Sequence, residues 1–412
     1  MTGEQIARAI AVEWEQIAAL LGPALPEFES KLLPLLRALD HDASDEDALA
    51  KVLQLIEAHP SVRHVVLAQA ASLTKGVRDS APLLETRYRY TKVPVFFGTS
   101  RQGNVAAASG RFTVERGLSN SYGLAEVSIP DDHRMGKLEK PRWWRLEFRP
   151  DPERHVVVLT IGLLDQPEFA SRTRVAVSGA ERKEVLLFVH GFNVTFEDAL
   201  RRTAQLSYDL AFPGVAVLYS WPSEGSIPDY MVDSNNVTWA EPYFSGFLQV
   251  LRQDVGAEAV HVIAHSMGSR LLANTVSRLS SSPDATGLRQ VVFAAPDLDA
   301  EVFRHLAAAF PGKARRLTLY ASSEDMALKA SRKLQKYPRA GESGLSLVIV
   351  PEVDSIDASS VRTDFLNHSY FGDSDSILSD LFYLVRDDLP PSARVRLRKR
   401  DLYGQTYWSF IP

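Results

Sequence analysis

The chain has 412 residues, 45% of them hydrophobic and 24% charged, the profile of a globular protein of two or three domains. Its formal net charge of −5 is too small to argue for nucleic acid or a membrane surface as a partner. The absence of cysteine excludes disulfides, thiolate zinc sites and a cysteine nucleophile, and fits a reducing compartment.

At the N-terminus, Glu4, Glu13 and Glu15 stand where a signal peptide would be basic and then apolar, so none is expected. The longest apolar run, Val156 to Leu164, is too short to cross a bilayer as a helix. The expectation is a cytoplasmic protein with no integral membrane segment. Over residues 4–22, Ile6, Ile10, Trp14, Ile17 and Leu21 recur at three- and four-residue steps and predict a helix. Ser44 and Asp47 stand at capping-box spacing before a helix with Ala48, Val52, Leu55 and Ile56 on one face. A further helix is predicted over 61–74. Short helices broken by prolines make residues 1–86 a small helical bundle, a packing or interaction module.

From about Tyr88 the period switches to two. The segments VPVFFGTSR, GRFTVERG, YGLAEVSIP, RWWRLEFRP and HVVVLTIGLL read as short strands separated by turns. After Lys183 strands and amphipathic helices alternate: EVLLFVHGF, GVAVLYSW, AVHVIAHS, RQVVFAAPD and RRLTLYASSED are each followed by a helix or an aromatic-rich stretch, and LSLVIVPEV closes the series as a strand. Apolar strands alternating with such helices imply a mostly parallel sheet covered on both faces.

The segment HVIAHSMGSRLLA raises the chemical question. An apolar strand stops at Ser266 and a helical pattern starts at once, the junction at which a serine is forced out of the backbone as a nucleophile. Small residues two before and two after it let helix and strand pack closely; Gly268 fills the second place and Ala264 adds one methyl at the first. Beyond such a serine the order is acid, then histidine. Only His305 and His368 of ten histidines follow Ser266. His305 sits inside an amphipathic helix and reads as a surface or packing residue; His368, in the polar FLNHSYFGDS, is the candidate base. For the acid, Asp325 is preferred over Glu324 after the strand RRLTLYA, while Asp297, one strand earlier, is expected to cap its helix. The oxyanion requires N–H donors. The Phe192 and Met267 amides are the expected pair, and His190 is expected to hold the loop. Asn193, His265, Tyr230 and Trp239 are candidates to line the substrate.

VPVFFGTSRQ, YGLAEVSIPDDHRMGKLEKP, LLFVHGFNVTFEDAL, LYSWPSEGSIPDY, VHVIAHSMGSRLL, VVFAAPDLDAEVF, TLYASSEDMAL and NHSYF together resemble the α/β-hydrolase superfamily, and within it a bacterial esterase/lipase-like group catalogued as a domain of unknown function. The resemblance covers roughly residues 90–385. It implies an α/β-hydrolase fold, a mostly parallel sheet flanked by helices, with a β-rich N-terminal extension and a small all-helical N-terminal domain. Residues 87–412 would then be the catalytic domain, including a β extension over 90–180, and the block from Val93 to Pro130 would be specific to this group. Mapped onto this chain, the family pattern implies Ser266 as nucleophile, His368 as base and Asp325 as acid. The implied activity is hydrolysis of a small-molecule or lipid-like carboxylic ester through an acyl-enzyme, with no cofactor or metal.

A reading of another class is a recruitment or effector protein whose hydrolase domain acts only in an assembly or serves as a binding scaffold. On that reading the N-terminal helices engage a protein partner; self-association into a homo-oligomer is open on either. No nucleic-acid partner is expected. Lys329, Arg332, Lys333, Lys336 and Arg339 read as a solvated basic face, and Arg394, Arg396, Arg398 and Arg400 as the charged outer face of a C-terminal strand.

Overall fold

A computed structural model of the chain describes residues 27–28, 30–32, 34–35, 46–57, 89–103, 112–139, 150–224, 229–279, 287–361 and 374–411. The chain divides into two units, residues 1–89 with 139–155 and residues 90–138 with 156–412. In the first, α1 spans Glu46–Glu57, with Val52 and Ile56 buried and Leu55 half-buried, the four-residue step that sets side chains on one face. The helices expected over 4–22 and 61–74, the Ser44 cap and the strand expected over 142–150 (Pro150 apart) lie outside the described residues.

In the second unit the described strands form one eleven-stranded sheet. They are β1 (Tyr90–Gly103), β2 (Phe112–Pro130), β3 (Val157–Leu164), β4 (Glu184–Val189), β5 (Val215–Ser220), β6 (Ala259–His265), β7 (Leu288–Ala294), β8 (Ala314–Ala321), β9 (Val353–Asp357), β10 (Leu397–Leu402) and β11 (Gln405–Phe410). The order across the sheet is β10-β11-β9-β8-β7-β6-β4-β5-β1-β2-β3. From β11 through β1 neighbours run parallel, and the antiparallel pairs β1–β2, β2–β3 and β10–β11 close the two sides.

Two-residue periodicity distributes the strand side chains. Val185, Leu187 and Val189 of β4 enter one apolar cluster, and Leu186 and Phe188 enter the other. The first cluster is covered by α2 (Gln166–Gly179), α4 (Tyr230–Trp239), α5 (Glu241–Gln253), α6 (Gly268–Arg278) and α7 (Ala300–Ala307), through residues such as Phe169, Val237, Phe247, Leu271 and Phe303. The second is covered by α3 (Phe196–Asp209) and α9 (Ser374–Val385), through Leu200 and Leu381. Full burial of one such side chain contributes about 1.5–3 kcal/mol. Among the described residues no helix is long and apolar enough to cross a membrane.

The sheet corrects several expectations. The two strands expected between Gly110 and Pro130 are one 19-residue strand, β2. The β-rich N-terminal region is present as expected, and its block from Val93 to Pro130 joins the central sheet, since β1 pairs in parallel with β5 from Val95↔Ala216 to Thr99↔Ser220. The expected β extension over 90–180 ends in a helix, α2. Asp165 caps it by accepting from the Glu168 N–H, Pro167 sits in its first turn, and Phe169, Ala170, Thr173 and Val177 form its buried face.

LSLVIVPEV is not the closing strand. Leu347 and Val348 pack into the core, the chain turns at Pro351–Glu352, and the strand is β9. Pro351 has no N–H for a ladder and Glu352 has φ 61°, so an extended backbone stops there. Arg394 lies before β10 and is buried, its Nη1 2.7 Å from Asp380 Oδ2, rather than on an outer strand face. Arg339 follows α8 (Met326–Gln335) and is buried too, so it belongs to no solvated basic face.

Candidate active site

The parallel strands from β1 to β9 all deliver their C-terminal ends to one edge of the sheet, and Ser266 sits there between β6 and α6. It has φ 51°, in the left-handed region that side chains other than glycine rarely adopt. The turn is tied on every side. The Ser266 N–H donates to the Ala294 carbonyl at 3.0 Å, and the Ser266 carbonyl accepts from the Ser269 and Asp297 N–H groups, each at 3.1 Å. The small-residue requirement falls mainly on Gly268: a methyl there would lie 2.3 Å from the His190 carbonyl oxygen, where α6 starts against the end of β4. Ala264 is fully buried within the apolar cluster, so its one methyl is packed.

The loop after β4 meets the serine. A methyl on Gly191 would lie 2.8 Å from the Ser266 Cβ and 2.8 Å from His265 Nδ1, so only glycine allows this approach. Phe192 follows, half-buried, its ring edge-on to Tyr230 at 5.5 Å. Among the described residues no acceptor engages the Phe192 or the Met267 N–H. Asn193 has φ 58°, a conformation asparagine tolerates.

His190 holds the loop, as its type and place suggest. Its Nδ1 is 2.8 Å from the Gly191 carbonyl oxygen and its Nε2 is 2.9 Å from Ser220 Oγ. The ring stacks on Trp221 at 5.2 Å, and Trp221 Nε1 donates to the His190 carbonyl at 2.8 Å. Burial, reinforced by the Arg101 charge, pushes its pKa down to about 3, so the ring is neutral at ordinary pH. Arg101, fully buried on β1, donates to Ser220 Oγ at 2.9 Å and to the Val194 and Ser223 carbonyls at 2.7 and 3.1 Å. Asp233 is buried as well; it accepts from Ser223 Oγ at 2.5 Å and from the Glu224 N–H at 2.8 Å, and desolvation raises its pKa.

On the other side of the serine, Asp299 and not Asp297 caps α7, accepting from the Glu301 and Val302 N–H groups. Asp297 lies one bond from the elbow with its carboxylate buried. It accepts from Arg339 Nε at 2.7 Å, Ser331 Oγ at 2.6 Å and the Tyr230 hydroxyl at 2.7 Å. Arg270 adds its Nε to the Asp297 carbonyl at 2.7 Å. Three donors, one of them a buried guanidinium, thus engage the carboxylate. Asp325 follows β8 and caps α8, its Oδ1 accepting from the Ala327 and Leu328 N–H groups at 2.9 and 3.0 Å. Glu324 is exposed beside it. His368 lies outside the described residues. His305 is exposed on α7.

Tyr230 stands in the Asp297 cluster with its hydroxyl engaged. Trp239 packs between Tyr243, at 4.6 Å, and the Arg116 guanidinium, 5.2 Å from its ring. His265, next to Ser266, is neutral; burial takes its pKa to about 3. Among the described residues no group of three His, Asp or Glu side chains forms a metal site. Sequence reasoning assigned nothing to Arg101, Ser220, Asp233 or Arg270, and placed Arg339 on a solvated face. A cation at the end of the apolar run VPVFFGTSR was the one readable sign of this buried network.

The parallel sheet with its left-handed serine between strand and helix is that of an α/β hydrolase. The chain belongs to the family described as "Alpha/beta hydrolase of unknown function (DUF900)", which matches residues 167–385. The match begins in α2, so β1, β2 and β3 stand outside it. The chain is also similar to an uncharacterized protein, alr1448, of Nostoc sp., at 27% identity over 122 residues, 24% of this chain and 32% of that protein. It therefore spans about a third of the length of the curated relative it matches.

Proposed function

We propose that this protein is a serine hydrolase of carboxylic esters, with Ser266 as nucleophile, His368 as base and Asp325 as the acid that orients it. Ser266 Oγ attacks the ester carbonyl carbon as His368 takes its proton. The Phe192 and Met267 N–H groups hold the developing oxyanion, a contribution of about 3 kcal/mol per donor. His368 then hands the proton to the departing alcohol, leaving an acyl-serine. Water, deprotonated by the same imidazole, attacks that carbonyl and frees the acid.

The observation that carries this reading is the φ of 51° at Ser266. Such a backbone is strained for serine by about 1–3 kcal/mol and persists only where its surroundings impose it, which is characteristic of functional sites. The order along the chain adds support: Gly191–Phe192 after β4, Ser266 after β6, Asp325 after β8 and then His368 follow the sequence that such a triad requires. The test is turnover of p-nitrophenyl acetate and p-nitrophenyl butyrate by the wild type, Ser266→Ala, His368→Ala and Asp325→Asn. The reading expects losses on the order of 10⁴-fold or more for the first two and a smaller loss for the third. Wild-type turnover that survives Ser266→Ala would end it.

A further inference from the structure

β1 lies outside the family-matched segment, yet it sends a charged side chain beneath the nucleophile's neighbour loop. Its ladder with β2 shifts register on both sides of Arg101, between Thr99 and Arg101 and between Arg101 and Gly103. Irregularities of this kind re-aim a strand side chain, and here the guanidinium ends 1% exposed. Its four acceptors among the described residues are neutral: Ser220 Oγ and the Val194, Ser223 and Thr113 carbonyls, the last at 3.4 Å. Val194 closes the loop that starts at Gly191.

Proton positions along this chain of contacts follow from the donor inventory. The Gly191 carbonyl only accepts, so His190 Nδ1 must carry the hydrogen that joins them. A neutral imidazole has one N–H, so Nε2 accepts and the Ser220 hydroxyl donates to it. The Ser220 oxygen then takes the Arg101 Nε–H, which can only be given. The direction is fixed from end to end: Arg101 to Ser220 to His190 to the Gly191 carbonyl. In a planar trans peptide the N–H of the next residue points opposite to that carbonyl. Holding the Gly191 oxygen toward His190 therefore turns the Phe192 N–H away from the ring.

We propose that Arg101 is a positioning residue of the hydrolytic site: through Ser220 and His190 it fixes the plane of the Gly191–Phe192 peptide and so aims the Phe192 N–H at the substrate oxyanion. This rests on the serine-hydrolase reading above and adds to it a residue that the family match does not reach. Arg101 touches no substrate. Its fork also pins Val194 and Ser223, so the loop is held at both ends, which a lysine with a single ammonium cannot do.

The test compares wild type, Arg101→Met, Arg101→Lys and Ser220→Ala. Each is measured for ester kcat and KM, for the thermal unfolding midpoint, and for the His190 tautomer by long-range proton–nitrogen NMR of histidine-labelled protein. Arg101→Met should lower kcat about 100-fold with KM nearly unchanged, the signature of a lost transition-state interaction. Arg101→Lys should recover part of that loss. Ser220→Ala leaves the carbonyl contacts of Arg101 in place and cuts only the relay; it should lower kcat about 10-fold with its unfolding midpoint near that of the wild type. The double variant should lose little more than Arg101→Met alone, because both act on one chain of bonds. Wild-type His190 should carry its hydrogen on Nδ1.

Active wild type beside a folded Ser220→Ala and Arg101→Met of undiminished kcat overturns this proposal alone, as does a wild-type His190 protonated on Nε2. A wild type inert toward esters and unreactive at Ser266 overturns the serine-hydrolase reading, and this proposal with it.

Discussion

Ser266 is flanked by two buried polar supports of opposite character. On the β4 side, a single guanidinium feeds a run of neutral hydrogen bonds that ends on a peptide carbonyl, with His190 kept uncharged by burial. On the β7 side, a buried carboxylate is matched by a buried guanidinium, Asp297 with Arg339 at 2.7 Å, and ties α4, α8 and the segment after α8 to the elbow. A neutral relay can orient one peptide group while contributing little to global stability, because each of its bonds replaces one made to water. A desolvated ion pair behaves differently: removing one partner leaves the other charge buried and unanswered. The two sides should therefore fail in different ways, one in rate and the other in folding.

The largest expected effect is on the ion-pair side. Asp297→Ala leaves Arg339 buried without its carboxylate and should lower stability by about 3–5 kcal/mol in urea titration. Replacing both, Asp297→Leu with Arg339→Met, should recover much of that loss; a double variant as unstable as the single one would break the comparison. Next is Gly268→Ala. Its methyl would fall 2.3 Å from the His190 carbonyl oxygen, so α6 must shift away from β4 and carry Met267 with it. A fall in kcat of about 100-fold, with the protein still folded, is expected from the displaced donor.

The pH dependence of stability sharpens the neutral side. The unfolded His190 takes up a proton below about 6.5, while the folded ring stays neutral down to about 3. Its stability contribution is thus complete above pH 6.5 and is lost as the pH falls toward 3, at up to about 1.4 kcal/mol per pH unit. Urea midpoints taken at pH 7 and pH 5 should fall with acidity, and His190→Asn should flatten that slope. The smallest effect concerns Ala264. Ala264→Gly removes one buried methyl and adds chain entropy, so it should destabilise by about 1–2 kcal/mol and leave kcat within about twofold.

What the sequence disclosed tracks local physics. The elbow was readable because an apolar β-branched run, a serine and a helical period succeed one another within thirteen residues. The alternation of strands and helices was readable for the same reason. Segments that local pattern misrepresents went astray: LSLVIVPEV has the composition of a strand, but Pro351 and the left-handed Glu352 turn it into a crossing that packs on the core. α2 was missed because only its cap, Asp165, and four buried positions mark it. Buried charge was the least legible feature. Arg101, Arg339 and Arg394 look like surface residues in a string of letters, and their side-chain partners lie between 12 and 122 positions away. Asp297 was expected to cap the helix that Asp299 caps for the same reason: a capping carboxylate and a core carboxylate two residues apart differ only in what the rest of the fold brings to them.

The most direct test of the central claim, an activated nucleophile at Ser266, is labelling of the full-length protein with a fluorophosphonate, followed by peptide mass spectrometry. A stoichiometric adduct is expected on Ser266, forming far more slowly in His368→Ala and absent from Ser266→Ala. Folded wild-type protein with no adduct at Ser266, or an adduct on another serine that persists in Ser266→Ala, would contradict it.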